Sequence, residues 1–388
     1  MAFKKETFCL APWYSIYLNS QGNISPCCKY KNQKHSYKQI EEYFHCSDLN
    51  EVRQDLLNGI KNNNCDRCWK DEENGGDSLR LITNRTIGLH GGANLRDQIY
   101  DPKTSRIKSF DLTLGNLCNL KCVMCAPELS SQLLAEANIN PKLQKRYGMI
   151  HSQKNFDWSR SNDFVEWCNR YLPESIHIKF TGGEPFLVPW IYDVISSIPD
   201  DQKTKCVLHF TTNLTIINHK LFEEFRKFKE VWISVSVEGT HKTHEYLRYG
   251  HSWEKLVSSF KSILSKKIDN LMLKVNHVVQ APSYHSIIDM TNFFDSLGIE
   301  IHPILLTNPK HYNILSLTKK SKQDFLDQTK NYSGYNLNFI KFVRSVSHKH
   351  IEQDNELTKD CIQDLSMLDS VRGNDYKKII PEHNLKVR

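Results

Sequence analysis

Between residues 109 and 306, apolar and polar positions follow two periods in turn. Short runs of alternating or continuous apolar character predict strands at SFDLTL (109–114), SIHIKFTG (175–182), CVLHFTTN (206–213), EVWISVSVEG (230–239), LMLKVNHVVQ (271–280) and IEIHPILL (299–306). Between them, VPWIYDVISSI (188–198), HKLFEEFRKF (219–228), WEKLVSSFKSIL (253–264) and SIIDMTNFFDSLG (286–298) carry apolar residues at helical spacing. Strands that alternate with helices form a parallel sheet covered by helices, so the fold class is α/β: a partial (β/α)6 TIM-like barrel.

The flanks read differently. WYSIYLN and NISPCCKY flank Ser20-Gln21-Gly22 and predict a hairpin whose turn uses the glycine. Ser47 is placed to cap a helix through DLNEVRQDLLNGI, with Leu49, Val52, Leu56 and Ile60 on one face and Gly59 and Asn62 to Asn64 as its stop. ENGGDS reads as a loop and GLHGGANLRDQIYDPKTS as a connector. Beyond Asn308 the chain is polar with helical periodicity. The organisation expected is a cysteine-rich hairpin-plus-helix module with its connector at 1–100, the barrel at 101–307 and a helical C-terminal extension at 308–388.

A net charge of +7 over 388 residues, with no basic stripe or recognisable module, gives no reason to expect nucleic acid as a partner. No run approaches the roughly 18 apolar residues of a membrane span, and MAFKKETFCLAPWY has no apolar segment of a secretory signal. These features predict a cytoplasmic protein. In that reducing setting the 12 cysteines are read as metal ligands or single buried thiols, not disulfides. Cys46, Cys168, Cys206 and Cys361 stand alone and read as small core residues.

The others cluster. LTLGNLCNLKCVMCAPE puts Cys118, Cys122 and Cys125 directly after the first barrel strand, where loops carry a barrel's chemistry. Four thiolates would complete a zinc site or saturate an iron–sulfur cluster; three leave one position open. This C-x3-C-x2-C loop resembles the radical S-adenosylmethionine (radical SAM) superfamily, and three further segments carry the same resemblance. Gly182-Gly183-Glu184-Pro185 follows the second strand, Thr212-Asn213 the third, and the segment from Ser236 and Glu238 to Arg248 the fourth. The resemblance implies a [4Fe-4S] cluster on the three cysteines whose open iron chelates S-adenosyl-L-methionine. It further implies that the exposed carbonyls of the glycine turn and Glu184 meet the cofactor's ammonium group, and that Asn213 lies near the cofactor. By the same resemblance Ser236 and Glu238 address its ribose or carboxylate, and Arg248 pairs with the carboxylate. Lys274, Asn276, His277 and His302 are candidate lumen residues, although a structural role is the commoner fate of such positions. No catalytic acid, base or second hydrogen donor is singled out.

Cys9, twelve residues to Gly22, four more to Cys27, and then Cys65-x2-Cys68 resemble the auxiliary-cluster modules called twitch and SPASM. These usually follow the barrel, whereas here the residues precede it. One complete set of ligands implies a twitch-like module with a second, auxiliary [4Fe-4S] cluster; a structural zinc on the same four thiols is the other reading. Cys28 is left as a spare thiol, a substitute for Cys27, or an exposed redox-active thiol. The function implied is reductive cleavage of S-adenosylmethionine and hydrogen abstraction, for oxidation, cross-linking or epimerisation of a peptide or protein side chain. A flavodoxin- or ferredoxin-type reductant would supply the electrons. The alternatives are a small-metabolite substrate (sugar, amino acid or nucleoside) and, from another class, a non-catalytic iron–sulfur electron carrier.

Overall fold

The computed structural model describes residues 6–73, 77–91, 107–151 and 153–387, without the side chains of residues 89–91. Nine strands form one sheet: β1 (Ser15–Leu18), β2 (Asn23–Ser25), β3 (His35–Ser36), β4 (Ser109–Thr113), β5 (His177–Thr181), β6 (Val207–Thr212), β7 (Glu230–Ser236), β8 (Leu271–Val279) and β9 (Glu300–Leu305). Their order is β3-β2-β1-β4-β5-β6-β7-β8-β9. From β4 onward each strand is parallel to the next, so the six predicted strands form the parallel series of a partial barrel.

The predicted hairpin is present, with Leu18 opposite Ile24 and Gly22 at φ +80° in its turn. It is not a free-standing module. β1 runs parallel to β4, with Ser15 opposite Ser109, and extends the barrel sheet. The helix expected after the hairpin is Ser47–Asn58; Cys46, not Ser47, is its N-cap residue, and Gly59 at φ +80° ends it. Leu49, Val52 and Leu56 are buried as expected, but Ile60 lies beyond the helix and is 52% exposed. Of ENGGDS, residues 74–76 lie outside the described residues. After it comes a helix, Leu79–Gly91, that the sequence reading had not placed. The connector expected at 88–105 begins inside that helix, and its remainder lies outside the described residues.

Side chains alternate across the strands. Phe110, Leu112, Ile178, Phe180, Leu208, Phe210, Ile233 and Val235 pack into the main core. The other face lines the lumen. Through the register, Tyr17, Asp111, Lys179, His209 and Trp232 form one row across five strands. Nearer the strands' carboxyl ends, Thr211, Ser234, Lys274 and Glu300 form a second row, and Ser236, Asn276 and His302 a third. The C-terminal region is helical as expected, with helices Lys319–Gln328, Leu337–Lys349 and Asn355–Arg372. Phe325, Phe339, Ile340, Cys361 and Leu365 join the same core as the strands. Among the described residues no helix is long and apolar enough to cross a membrane.

Candidate active site

The loop after β4 is held by buried side-chain bonds and by the backbone of a neighbouring segment. Asn116, 1% exposed, donates to the Pro127 carbonyl (3.2 Å) and accepts from Phe156 N (3.1 Å). The Ser131 hydroxyl donates to the Cys118 carbonyl (3.0 Å) and accepts from Cys118 N (3.2 Å). Lys121 N donates to Tyr249 O (2.9 Å) and Val123 N to Leu247 O (2.8 Å), so the loop is laced to the segment that follows β7. These constraints bring Cys118, Cys122 and Cys125 into one small cluster. Burial pushes the Cys118 thiol up to about 11 and Cys125 to about 12. Buried thiols of this kind become thiolates when a metal replaces the proton.

Gly182 and Gly183 have φ of +77° and +50°, and the reason for glycine is the cysteine loop itself. A Cβ on Gly183 would lie 2.2 Å from the Leu117 carbonyl oxygen, and one on Gly182 would lie 2.0 Å from Thr113 Cγ2. Glu184 N donates to that Leu117 carbonyl (2.7 Å). The Glu184 carboxylate differs from expectation. It is fully buried and accepts from Thr212 Oγ1 (2.6 Å), Asn213 N (2.6 Å) and Phe186 N (3.1 Å), so it braces the ends of β5 and β6. Burial raises it to about 7 against those three hydrogen bonds. Pro185 opens the short turn that follows and is buried.

Asn213 and Arg248 meet the thiols. Asn213 Nδ2 lies 3.9 Å from Cys118 Sγ, and Arg248 Nη1 lies 3.8 Å from Cys122 Sγ. Arg248 pairs within the chain, donating from Nη2 to Glu238 Oε1 at 3.0 Å. Glu238 is fully buried and also accepts from Val278 N (3.1 Å) and Gln280 Nε2 (3.3 Å), so its expected contact with a ribose or carboxylate is not made by an exposed group. Arg248 Nε is buried without a partner. Three clustered thiols, two donors aimed at their sulfurs and one orphaned guanidinium nitrogen fit an anionic cluster with an open position. Ser236 lies on the lumen side of β7, in register with Asn276 and then His302. His277 does not share that face. It is fully buried, bonds Val237 O at 2.9 Å and packs against Phe339, because neighbouring strand residues point to opposite sides. Lys274 is on the lumen side and pairs with Glu300 at 2.9 Å.

At the other end of the lumen, Cys9, Cys27, Cys65 and Cys68 line one pocket with Trp69 and Arg80. Burial pushes Cys9 and Cys65 up to about 12, and the neighbouring thiols add to it. Cys28 lines the adjoining cavity instead, with Asp111, Lys179 and His209. The supports of Cys9 escaped the sequence reading. Asn84 donates to Phe8 O (2.9 Å) and accepts from Leu10 N (2.8 Å), and Arg80 donates to Phe8 O (2.8 Å), all from the unplaced helix Leu79–Gly91. Among the described residues no three or more His, Cys, Asp or Glu side chains converge as they would around a single metal ion.

Similarity to known proteins extends over part of the chain. An uncharacterized protein of Methanocaldococcus jannaschii is 21% identical over 213 residues, 54% of this chain and 66% of that one. Among solved structures, anSMEcpe with bound AdoMet and Kp18Cys peptide is 17% identical over 55% of this chain and 56% of that chain, with a TM-score of 0.38. Streptococcus suis SuiB bound to precursor peptide SuiA is 16% identical over 78% of this chain and 62% of that chain, with a TM-score of 0.39. The chain thus spans less than two thirds of the length of each. Residues 112–293, which hold the cysteine loop, the glycine turn, Asn213 and Arg248, match the model of the Radical SAM superfamily.

Proposed function

We propose that Cys118, Cys122 and Cys125 hold a site-differentiated [4Fe-4S] cluster and that S-adenosylmethionine binds beside it, above the row of Ser236, Asn276 and His302. The observation that carries this reading is the three-thiol cluster met by Asn213 and Arg248. Bound together, the two cofactors supply reductive cleavage of the sulfonium and a 5′-deoxyadenosyl radical that takes a hydrogen atom from substrate. The chain's own part is positioning. Glu184 and Gly183 fix the turn against the cysteine loop, the backbone carbonyls of 182–183 are its acceptors for an ammonium group, and Glu238 holds Arg248 against Cys122.

The substrate in this reading is a peptide or protein side chain that enters the lumen. The cavity beneath, lined by Tyr17, Asp111, Lys179, His209 and Trp232, encloses about 150 Å³. A void of that size holds a benzene-sized group, the scale of one side chain. Cys9, Cys27, Cys65 and Cys68 would hold an auxiliary [4Fe-4S] cluster at the lumen's floor, twitch-like in chemistry though N-terminal in sequence. Zinc is the poorer occupant. The adjacent barrel, in this reading, already requires iron–sulfur assembly, and the same four thiols are ordinary cluster ligands. A flavodoxin- or ferredoxin-type donor in the cytoplasm completes the reading.

The test is anaerobic reconstitution followed by dithionite and S-adenosylmethionine. The expected result is 5′-deoxyadenosine from the native chain and none from Cys122→Ala. Deoxyadenosine at the native rate from that variant would overturn the reading, and a mass change in candidate peptides against candidate metabolites would decide the substrate class.

A further inference from the structure

The C-terminal helix Asn355–Arg372 reaches the cysteine loop by three routes. Arg146, at the end of helix Pro141–Arg146, donates from Nη2 to the Val123 carbonyl (2.9 Å), between Cys122 and Cys125. The same guanidinium grips Asp364 of the C-terminal helix at both oxygens, Nε to Oδ1 and Nη2 to Oδ2, each 2.8 Å. Tyr312 Oη (2.5 Å) and His311 Nε2 (3.2 Å) bond the same carboxylate. The Arg146 and Asp364 side chains are only 8% and 11% exposed, so neither charge is left to water. Burial would raise the Asp364 carboxyl, but the bonds from His311 and Arg146 hold it well below the usual carboxylate range.

The second route ends the helix. Arg372, 3% exposed, donates to Glu136 Oε2 at 2.8 Å, and Glu136 Oε1 accepts from Lys121 Nζ at 3.0 Å. Lys121 is the residue before Cys122, and both cations lie over the Tyr249 ring, at 5.0 Å for Lys121 and 4.9 Å for Arg372. In the third route, Tyr246 Oη donates to Asp369 Oδ1 (2.9 Å), tying down the helix His241–Leu247 that precedes Arg248.

We infer that the C-terminal helix is a positioning element for the cysteine loop, setting through Asp364–Arg146 and Arg372–Glu136–Lys121 how the three thiols and Arg248 face their cofactors. The inference rests on the proposed function for what the loop holds. Breaking Asp364–Arg146 leaves a buried cation without its carboxylate, which destabilises locally more than loss of the bond alone, and breaking Arg372–Glu136 leaves Glu136 held by Lys121 alone. The loop then gains alternatives to its one arrangement.

The test compares Asp364→Asn and Arg372→Gln with the native full chain, with Asp364→Glu and Arg372→Lys as conservative rescues. Hydrogen exchange on the protein before reconstitution reads the Lys121 and Val123 amides. EPR of the reduced, reconstituted protein reads the change that added S-adenosylmethionine produces. The expected result is at least tenfold faster exchange confined to the loop. The EPR change should also need at least tenfold more cofactor, with the auxiliary-cluster signal unmoved and partial recovery in the conservative variants. Loop exchange and cofactor response within twofold of native in both variants would overturn the inference, as would faster exchange spread evenly over the barrel. If Asp364→Asn does not fold, Lys121→Met with Arg372→Gln takes its place, judged by the same limits. A native chain with no cofactor-responsive signal would sink the proposed function instead, leaving the exchange measurement to judge the helix.

Discussion

Replacing Gly183 with Ala separates backbone strain from steric packing at the cysteine loop. The added Cβ would stand 2.2 Å from the Leu117 oxygen, 2.7 Å from its carbon and 2.9 Å from its nitrogen, all backbone atoms that no rotamer change can move. The φ of +50° is a second handicap, about 1 kcal/mol for a residue bearing Cβ. Overpacking of this kind costs about 1–3 kcal/mol. The total, about 2–4 kcal/mol, falls on the strand-end turn that bonds Leu117 through Glu184 N. Gly298→Ala is the internal control, because its φ is +64° with nothing within 4 Å of the new Cβ. Urea unfolding should show Gly298→Ala about 1 kcal/mol below native, and Gly183→Ala lower by a further 1–3 kcal/mol. Reconstituted iron should fall by about half in Gly183→Ala, with the loss confined to the barrel cluster, since two clusters of four irons are proposed. Equal urea midpoints for the two variants, or full iron with native deoxyadenosine formation in Gly183→Ala, would refute the claim that the glycine turn exists to seat the cysteine loop.

Four further outcomes follow from the same geometry. Cys118→Ala, Cys122→Ala or Cys125→Ala should each abolish deoxyadenosine while leaving about four irons per chain, measured by colorimetric iron assay. The Cys65→Ala/Cys68→Ala double variant should spare S-adenosylmethionine cleavage and lose the other half of the iron; retention of full iron would reject the auxiliary site. Cys28→Ser should keep all its iron where Cys27→Ser does not, because only Cys27 lines the four-cysteine pocket. Burial takes His277 down to about 4 from 6.5, so the fold binds fewer protons than the unfolded chain between those values. Stability should therefore be full above about pH 6.5 and fall as pH drops toward about 4, by no more than about 3 kcal/mol from this group. The slope of urea midpoints with pH should be shallower in His277→Gln, and an unchanged slope would count against the buried neutral imidazole.

What the sequence discloses of this site is what lies close together along the chain. The cysteine spacing and the glycine turn are local, and period-two alternation locates all six barrel strands. Asn276 and His277 were both read as lumen candidates, yet adjacent strand residues cannot share a face, and only Asn276 lies on the lumen side. Partners remote in sequence are another matter. Nothing around Glu238 says that it neutralises Arg248, or around Gly183 that its neighbour is Leu117, because both contacts depend on how loops from different strands meet. Helix Leu79–Gly91 was hidden by its own composition: Thr83, Thr86 and Gly88 weaken its helical propensity, and packing over the lumen overrides them. The parallel pairing of β1 with β4 was hidden for a different reason. A strand's pattern declares its buried face but not its neighbour.

That pairing bears on how the protein is made. Ser15 cannot meet Ser109 until both have left the ribosome, with 93 residues between them. Contacts this distant in sequence form late, since a long loop must close first. A fragment ending before residue 107 would show β1 as an open edge, a row of unsatisfied amides and carbonyls ready to recruit another chain. A fragment beginning there would leave β4 in the same state. Although the two groups of cysteines lie in separate stretches of sequence, the thiols that flank β1 and those that follow β4 stand on one continuous sheet. The strand β1 thus gains its second neighbour, and the sheet its continuity across the two cysteine groups, only after the barrel's first strand has been synthesised.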